Sequence, residues 1–491
     1  MTRLSPASAP HSADLNAARR RRELIEAADQ TTDVLVIGGG ITGAGVALDA
    51  ASRGLSVTLI EAEDLGFGTS RFSSKLVHGG LRYLATGDFA TAQESAQERH
   101  LLMTRIAPHL IHPLAQLLPF VPGVTLNQRV AGAVGMGMGD LLRMRARTPR
   151  SVLPGPRLVT ARTARRLAPA LRPDGLRGGV LSNDGQLVDD ARLVVTVART
   201  AAAFGARILT RARALQLRAD GATVSDALTG EQFEIRARAV INAAGVWAGT
   251  LDESITVRPS RGTHIVLDAA DLGSPTAALT IPHEGSISRY VFALPQQHGR
   301  IIVGLTDEEA PGPIPLVAQP SEPEIAFLLA SLNRVLDAPI GRDRVRGAFA
   351  GLRPLIDSGS AATADISRKH LVTASDSGAI AVLGGKLTTY RRMAEDAVDL
   401  AVRARLGGAA PASRTAELRL VAGAPASAGS GAGIAEGIDI TRADIAFAVQ
   451  AEGALSTDDV IDRRTRIGLV DADRERCLPV IERIIAEELV D

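Results

Sequence analysis

The sequence has a single cysteine, Cys477, which excludes an internal disulfide bond and a metal site built on several thiolates. It also lacks a long apolar run, since even the apolar stretch 187–208 carries aspartate and arginine, and it therefore predicts no membrane-spanning helix. The first thirty residues are polar and basic, without the apolar centre of a secretory signal. From these absences we expect a soluble protein of the reducing cytoplasm.

A large net charge is absent too. A chain with a net charge of +1 has no global field for gathering nucleic acid, and we expect no nucleic-acid partner. Only three of its 55 basic residues are lysines, Lys75, Lys369 and Lys386. In such a chain a retained lysine favours a site that needs a compact ammonium group. The arginine runs at 19–22 and 143–150 indicate solvated faces or, as an alternative, contact with an anionic membrane surface.

The 491 residues exceed what one hydrophobic core holds, and their pattern changes along the chain. A strand–helix–strand pattern near the start indicates an α/β fold, whereas short alternating runs after residue 258 indicate an antiparallel sheet. We predict a polar arm (1–30), a nucleotide-binding domain in three pieces (31–110, 170–257 and 345–410), an irregular cap insertion (111–169), an antiparallel substrate domain (258–344), a linker (411–437) and a helical C-terminal domain (438–491).

Three glycines, Gly38, Gly40 and Gly43, lie between a short apolar strand and a predicted helix. In this G-x-G-x-x-G pattern the first glycine allows a tight turn, the second lets the backbone approach a pyrophosphate, and the third lets helix and strand pack closely. The helix N-terminus at Ile41 and Thr42 adds N–H donors and the positive end of the helix dipole. The pattern predicts a dinucleotide site.

The next strand ends at Glu61, where a carboxylate accepts hydrogen bonds from ribose hydroxyls and disfavours NADP. FAD and NAD both remain compatible with it. A second strand-to-helix turn, 384–390, favours FAD, because such a helix N-terminus can face the flavin edge where negative charge collects on reduction. An ordinary structural turn is the alternative. The segment 68–84, dense in hydroxyl groups, indicates a loop around a polar ligand or a capped surface turn.

Taken together, nine segments in this order resemble the FAD-dependent glycerol-3-phosphate dehydrogenases of the aerobic, quinone-reducing type. The segments are 33–49 with Glu61, 73–84, 188–193, 242–247, 262–266, 304–307, 351–355, 366–368 and 384–391. The resemblance covers about 31–400, and 440–490 is similar to the family's C-terminal cap. It implies a Rossmann-like FAD-binding domain, an antiparallel β-rich substrate domain and a small, shortened helical C-terminal domain.

The resemblance implies an activity as well: oxidation of sn-glycerol 3-phosphate to dihydroxyacetone phosphate by hydride transfer to flavin N5, with the electrons passed to a membrane quinone. One alternative is a related oxidase that reduces O₂ and acts on the same phosphate or on an amino or hydroxy acid. A non-catalytic protein stabilised by FAD is another. No metal is expected.

The implied substrate is a small dianion with a secondary alcohol, so its site needs several cations and a space poor in water. By the family pattern, Arg353 and Arg368 clamp the phosphate, Lys386 lies near the flavin edge, and His264 or Arg353 handles the hydroxyl proton. The alternative for His264 is a satisfied core residue. The implied catalytic set is His264, Arg353 and Lys386, and the substrate-binding set is Arg82, Tyr83, Arg353, Arg368 and Thr389.

The implied FAD contacts include a second histidine, His78, beside the flavin. The full set is Gly38, Gly40, Ile41, Thr42, Gly43, Glu61, Thr69, Ser70, Ser74, Lys75, His78, Gly80, Leu81, Gly245, Gly385, Lys386, Leu387 and Thr388.

One region differs from the family pattern, and a second is not among the resembling segments. Residues 418–437 predict mostly linker where the family has further helices, which bears on two implied properties: a homodimer and peripheral attachment to the inner face of the cell membrane. Within 120–160, Met136, Met138 and Leu141 lie beside the arginine run. This segment indicates a mobile loop or, as the alternative, an interfacial segment near the access path of a quinone.

Overall fold

This computed structural model describes residues 11–80, 83, 87–356, 369–408, 410–423 and 431–489. Its first strand shows how the sequence builds the fold. Alternate side chains of a strand point to opposite faces of a sheet. Val34 and Val36 accordingly enter one hydrophobic core, and Leu35 and Ile37 enter another, so the strand is buried on both faces. That burial is typical of a parallel sheet covered on both sides.

The helices of the described residues are α1 (Ala17–Asp29), α2 (Ile41–Ser52), α3 (Phe89–Leu101), α4 (Leu126–Arg145), α5 (Ala161–Leu167), α6 (Asp190–Ala203), α7 (Ala248–Leu251), α8 (Glu322–Asn333), α9 (Tyr390–Ala404), α10 (Arg442–Gln450), α11 (Thr457–Asp459) and α12 (Asp471–Glu488). The strands are β1 (Thr32–Ile37), β2 (Val57–Ile60), β3 (Leu76–Val77), β4 (Ile111–Pro119), β5 (Arg157–Val159), β6 (Gly179–Leu187), β7 (Arg207–Leu209), β8 (Ala212–Arg218), β9 (Gly221–Asp226), β10 (Gln232–Asn242), β11 (Val257–Asp268), β12 (Ala278–Pro282), β13 (Tyr290–Pro295), β14 (Arg300–Gly304), β15 (Glu308–Glu309), β16 (Gly347–Ile356), β17 (His370–Ala374), β18 (Ile380–Gly384), β19 (Gly433–Ala435) and β20 (Ile438–Thr441).

The first sheet runs in the order β17–β18–β10–β1–β2–β7, parallel throughout except for β17, and an antiparallel β8–β9 ribbon continues from β10. Helices α2, α6 and α9 cover one face, and α1 with the ribbon covers the other. The close packing of α2 against the end of β1 depends on Gly43, where a Cβ atom would lie 1.8 Å from the carbonyl oxygen of Gly38. This parallel sheet, covered on both faces and with the glycine turn directly after β1, confirms the Rossmann-like domain that the resemblance implies.

The second sheet runs in the order β15–β11–β14–β13–β12–β4–β6–β3, with β16 beside β11 and β5 beside β6. Its pairs are antiparallel except for β4–β12. Helix α8 packs Ile325, Leu328 and Leu332 against it in a core of its own. The antiparallel sheet is confirmed, but it is larger than predicted: β3, β6 and β16 belong to it, although their positions in the chain suggested the nucleotide-binding domain.

The prediction of irregular structure for 111–169 was wrong. The segment holds β4, β5, α5 and the twenty-residue helix α4, which starts at a capping box between Thr125 and Gln128. Glycine costs a helix interior about 1 kcal/mol relative to alanine, so the glycine-rich run in α4 argued against a helix. At Gly132 the missing side chain serves packing, because a Cβ atom there would come within 2.3 Å of the Leu118 side chain.

The C-terminal unit comprises β19, β20, α10, a π-helical turn at Val460–Arg464, and α12. Its own core contains Ile445, Ile461, Cys477 and Ile481 among other apolar side chains. The helical character predicted for 438–491 is confirmed for the part that the structure describes. Among the described residues, none of the helices combines the length and apolar character that a membrane crossing requires.

Candidate active site

A cavity of about 780 Å³ is lined by residues of both sheets. This volume lies within the roughly 300–1,000 Å³ of ligand sites in proteins. The glycine turn between β1 and α2 forms part of the lining. Other parts come from the segment between β2 and β3, from Arg353 on β16 and from the turn after β18.

The glycine turn supplies its part of the cavity mainly with backbone. Gly38 has a φ of 109°, a conformation that favours glycine, and a Cβ atom there would lie 2.6 Å from the carbonyl oxygen of Ala243. Because its N-cap residue is Gly40, α2 begins without a capping side chain of its own, and the Ile41 N–H donates to Ser70 Oγ over 2.9 Å. A helix N-terminus next to a bare backbone turn fits an anionic group such as a pyrophosphate.

Glu61, at the end of β2, is bound back to the turn. Its Oε2 accepts from the Gly39 N–H at 2.5 Å, and its Oε1 accepts from the Glu63 N–H at 2.9 Å. A carboxylate has about four acceptor positions, so these two bonds leave capacity for the hydroxyls of a sugar. The side chain therefore stands on the cavity wall in a fixed orientation.

Residues 62–72, here called the 62–72 loop, form another wall of the cavity. The Gly66 N–H donates to the Gly39 carbonyl over 2.9 Å, and Thr69 Oγ1 donates to the Leu352 carbonyl over 2.5 Å, so the loop is bound both to the glycine turn and to β16. Gly68 lies against the ring of Trp247, where a Cβ atom would come within 2.7 Å of it. The loop thus joins the two sheets.

A second group of polar side chains in the lining contains His78, Asp184 and Arg353. His78 Nδ1 lies 3.7 Å from Asp184 Oδ2, and Arg99 Nη1 lies 2.6 Å from Asp184 Oδ1. Although burial favours the neutral carboxyl, the charge of Arg99 and the contact with His78 lower the pKa of Asp184 to about 2. Asp184 is therefore ionised next to the histidine that lines the cavity.

Arg353 projects from β16 and is held at several points. Its Nη1 lies 3.1 Å from Asp307 Oδ1 and 3.2 Å from Ser260 Oγ, and its Nη2 donates to the Thr306 carbonyl at 3.0 Å. The exposed fraction of the side chain is 17%. These contacts fix the plane of the guanidinium group, which lines the cavity.

Lys386 reaches the cavity from the turn that follows β18. Gly384 and Gly385 have φ of 68° and 74°, a left-handed pair that turns the chain sharply before Lys386. The Lys386 Nζ lies 3.8 Å from the centre of the Tyr83 ring, a cation–π distance, and 3.4 Å from Ser95 Oγ. The turn thereby places a cation and an aromatic ring side by side in the cavity wall.

His264 does not line the cavity, in contrast to its predicted role as the group that handles a substrate proton. It is fully buried, its Nε2 lies 2.9 Å from Ser74 Oγ, and its ring stacks on Phe349 with centroids 4.8 Å apart. Burial, and then the charges of Lys75 and Arg353, lower the pKa of His264 to about 3. The geometry fits the alternative of a core histidine, one that hydrogen-bonds a serine of the cavity wall.

Lys75 also points away from the cavity, so a direct contact with a cofactor is not supported. The residue has a φ of 55°, and its Nζ lies 2.9 Å from Asp190 Oδ1 in a fully buried ion pair. Burial, together with Arg466, lowers the pKa of its ammonium group. Gly43 and Thr389 lie outside the lining as well. For Gly43 this agrees with the packing role that the sequence predicts.

The structure brings most of the predicted residues to one cavity. Those that line it are Gly38, Gly40, Ile41, Thr42, Glu61, Thr69, Ser70, Ser74, His78, Gly80, Tyr83, Gly245, Arg353, Gly385, Lys386, Leu387 and Thr388. Leu81, Arg82 and Arg368 lie outside the described residues.

Sequence reasoning missed several residues of the site. Asp184 and Arg99 carry no local signal, because an aspartate within β6 and an arginine within α3 resemble many others in the chain. Asp307 and Trp247 belong to two of the nine resembling segments, 304–307 and 242–247, but the resemblance implies no role for either side chain. For Asp307 a signal does exist in the sequence: it is an ionisable residue within the resembling segment 304–307, and such a residue is a candidate for the site.

Two family models match the chain. One is described as FAD dependent oxidoreductase and matches residues 33–391, and the other is described as the C-terminal domain of alpha-glycerophosphate oxidase and matches residues 412–490. Among curated proteins, Glycerol-3-phosphate dehydrogenase 1 of Mycobacterium tuberculosis is 52% identical over 514 residues, which cover 97% of this chain and 99% of that protein.

Two solved structures resemble the fold. The glycerol-3-phosphate dehydrogenase of Bacillus halodurans, complexed with FAD, gives a TM-score of 0.71 at 26% identity and covers 95% of this chain and 94% of its own. The L-alpha-glycerophosphate oxidase of Mycoplasma pneumoniae, with FAD bound, gives a TM-score of 0.61 at 16% identity and covers 80% of this chain and 100% of its own. At that identity the second likeness concerns the fold alone.

Proposed function

We propose that this chain, which belongs to the FAD-dependent oxidoreductase family, oxidises sn-glycerol 3-phosphate to dihydroxyacetone phosphate. The observation that carries the proposal is the position of Arg353 and Lys386, two cations that line the same cavity as the glycine turn. A dianionic substrate beside a dinucleotide needs such cations. The homology with glycerol-3-phosphate dehydrogenases supports the same substrate.

FAD supplies the acceptor for the hydride that leaves C2 of the substrate. In the proposed binding mode, the glycine turn and the N-terminus of α2 hold its pyrophosphate, and Glu61 accepts hydrogen bonds from its ribose. The turn at Gly385–Thr388 is assigned to the flavin end. These residues fit the group, because Gly40 presents bare backbone to the cavity beside the N-terminus of α2, and Gly245 leaves open space where a Cβ would stand.

In this proposal Arg353 binds the substrate phosphate. Asp307 and the Thr306 carbonyl hold its guanidinium group in one plane, so the entropy cost of orienting it is met before the substrate arrives. Lys386 adds a second cation near the reacting carbon. Arg82 and Arg368 remain predicted partners of the phosphate, and Tyr83 and Thr389 remain predicted neutral donors.

The proton of the C2 hydroxyl needs an acceptor, and the geometry favours His78 over His264. His78 lines the cavity, whereas His264 is buried behind Ser74. A base that accepts a proton becomes cationic, and Asp184, ionised 3.7 Å from His78 Nδ1, stabilises that charge. His264 instead orients the Ser74 hydroxyl. His78, and not His264, is thus the proposed proton acceptor.

For the electron acceptor we propose a membrane quinone rather than O₂. Helix α4 exposes an apolar row along one side and contributes Ala131, Val134 and Met138 to the cavity lining. The exposed apolar residues of α4 are Leu126, Val130, Val134, Leu141 and Met144. Exposed arginines, Arg145, Arg147 and Arg150, follow at its end. An apolar row beside arginines is typical of a helix that lies on an anionic membrane surface.

The test uses purified protein with bound FAD under anaerobic conditions. Glycerol 3-phosphate should bleach the visible flavin band, and a soluble quinone analogue should restore it faster than O₂ does. A flavin that stays oxidised with glycerol 3-phosphate but is bleached by an amino or hydroxy acid would contradict the substrate. Faster reoxidation by O₂ would contradict the acceptor and favour the oxidase.

Membrane attachment and oligomeric state require separate measurements. Sedimentation with anionic and with neutral lipid vesicles tests the proposed position at the inner face of the cell membrane, and we expect binding to the anionic vesicles only. The matched variant is Val134→Ser, which shortens the apolar row of α4 and should weaken that binding. Analytical ultracentrifugation tests the homodimer that the family resemblance implies.

A further inference from the structure

A buried ion cluster joins the C-terminal unit to the 62–72 loop. Asp64, 1% exposed, lies 2.6 Å from Arg463 Nε through its Oδ2, and each of its oxygens lies 2.9 Å from a terminal nitrogen of Arg464. Although burial favours the neutral carboxyl, Arg464 and Arg463 lower the pKa of Asp64 to about 2. A second acid, Asp459, lies 2.6 Å from Arg463 Nη2 and balances the charge.

Further contacts connect the same two segments. Arg71 Nη1 lies 3.3 Å from Asp462 Oδ2, and Arg466 Nη2 donates to the Arg71 carbonyl over 2.6 Å. The Arg463 guanidinium stands 5.5 Å from the centre of the Phe67 ring, and Phe67 itself lines the cavity. Residues 459–466 therefore back the loop along most of its length.

The opposite side of the loop contacts the glycine turn. Gly66 bonds to the Gly39 carbonyl, and Ser70 Oγ accepts from the first N–H of α2. The loop contains one short helical turn, Thr69–Arg71, as its regular structure. A segment of this kind has low local stability unless its neighbours hold it. It lies between the proposed pyrophosphate site and the C-terminal unit.

We propose that residues 459–466 of the C-terminal unit are a positioning part of the FAD site, holding the 62–72 loop in its FAD-binding conformation. The loop cannot move outward without separating Asp64 from two arginines in a buried environment, which is costly. FAD contacts the loop from within, so FAD binding and the contacts between 459–466 and the loop strengthen each other by linkage. The inference depends on FAD binding and not on the identity of the substrate.

The experiment compares two matched variants, Asp64→Asn and Asp473→Asn. Both carboxylates are buried and join the C-terminal unit to the rest of the protein, but Asp473 pairs with Arg300 of β14, away from the loop. Each apoprotein is reconstituted with FAD, and the dissociation constant is measured by flavin fluorescence. We expect Asp64→Asn to raise the FAD dissociation constant at least about tenfold. A rise of that size corresponds to the loop being in its FAD-binding conformation in roughly one molecule in ten.

The matched control should behave differently. Asp473→Asn should lower the thermal unfolding midpoint while leaving the FAD dissociation constant within about twofold of the wild type, since it does not touch the loop. Equal FAD affinity in the wild type and in Asp64→Asn would overturn the proposal. So would an equal weakening by both variants, which would indicate a general loss of stability.

A measurement on the wild type covers the case in which Asp64→Asn does not fold. Hydrogen exchange is compared between the apoprotein and the FAD-bound protein. Linkage requires that FAD protect the amides of 459–466 together with those of 62–72. Protection that stops at the loop and leaves 459–466 unchanged would contradict the coupling, whatever the activity on glycerol 3-phosphate.

Discussion

Two parts of the cavity wall are built in different ways. The part at the glycine turn is made of backbone, with Gly38 and Gly40 beside the start of α2, and residues close together in sequence form it. The polar part is made of side chains, with His78, Arg353 and Lys386 coming from distant segments. A backbone site depends on the absence of side chains, whereas a side-chain site depends on partners that hold charged groups in place.

This difference separates the two functions assigned to the cavity. The backbone part offers N–H groups and a helix dipole to a pyrophosphate, which every dinucleotide carries, so it selects the cofactor class and not the substrate. The polar part presents Arg353, fixed by Asp307, and His78, paired with Asp184. Under the proposed function, this part selects the charge of the substrate and moves the proton. Changes in one part should leave the other function intact.

The largest expected effect comes from Gly43→Ala at the backbone part. The new Cβ would lie 1.8 Å from the Gly38 carbonyl oxygen, and since both atoms belong to packed backbone, α2 must shift away from β1. A misplacement of about 1 Å costs on the order of a hundredfold in binding or rate, so we expect the protein to lose FAD. The flavin content of the purified variant measures this.

The control for that variant is Gly137→Ala in α4. Gly137 is helical and exposed, and nothing lies within 4 Å of where its Cβ would stand. Alanine is the better helix former by about 1 kcal/mol, so stability should rise slightly and flavin content should not change. A Gly43→Ala protein with full flavin content would break the distinction between the two parts of the cavity.

The next effect tests the polar part through its two histidines. His78→Gln should lower kcat by about 10²–10⁴-fold with FAD still bound, because the base next to Asp184 is removed. His264→Gln should keep kcat within about tenfold, since its ring contacts Ser74 and not the cavity. Stopped-flow reduction of the flavin by glycerol 3-phosphate measures both. The reverse ranking would return the base to His264.

A smaller effect is expected from Arg353→Lys. Lysine keeps the charge but cannot form the planar set of bonds to Asp307 and the Thr306 carbonyl, so phosphate binding weakens. We expect kcat/KM to fall by about a hundredfold, chiefly through KM, with FAD affinity unchanged. Arg261→Lys, on the neighbouring strand and paired with Glu324, is the control and should behave like the wild type. Normal KM for Arg353→Lys would exclude the phosphate assignment.

The same division explains how much could be predicted from the sequence. The backbone part was predictable because the strand, the glycine pattern, the helix and Glu61 are consecutive, and each has a local signature. Helix α4 was missed because its glycines lower helix propensity, and its packing against Leu118 cannot be read from sequence. Asp184 was missed because its partner Arg99 lies 85 residues away.

Two predicted site residues lie outside the cavity lining for a related reason. Lys75 and His264 belong to motifs that surround the cavity, and sequence alone does not show on which side of a strand or turn a side chain emerges. The positive φ of Lys75 directs its ammonium group to Asp190, and the burial of His264 places the ring behind Ser74. Leu81, Arg82 and Arg368, which lie outside the described residues, remain predictions.

The smallest effect concerns stability rather than turnover and separates His264 from the polar part of the cavity. The pKa of His264 is about 3 in the folded protein, against about 6.5 in an unfolded chain, so above pH 6.5 the ring is neutral in both states. As the pH falls from 6.5 toward 3, the unfolded chain binds a proton that the folded protein does not. The free energy of unfolding therefore falls by up to about 1.4 kcal/mol for each pH unit in this range.

Glutamine does not titrate, so His264→Gln removes this pH-dependent loss of stability, and its amide can still hydrogen-bond Ser74. We therefore expect the thermal unfolding midpoint to fall less between pH 7 and pH 5 in this variant than in the wild type. Every other titrating group is shared by the two proteins, so the difference between their two shifts isolates the histidine. Equal shifts would mean that the ring already accepts a proton in the folded state, as a histidine in contact with the cavity would. His264 would then belong to the polar part of the cavity and not to the core.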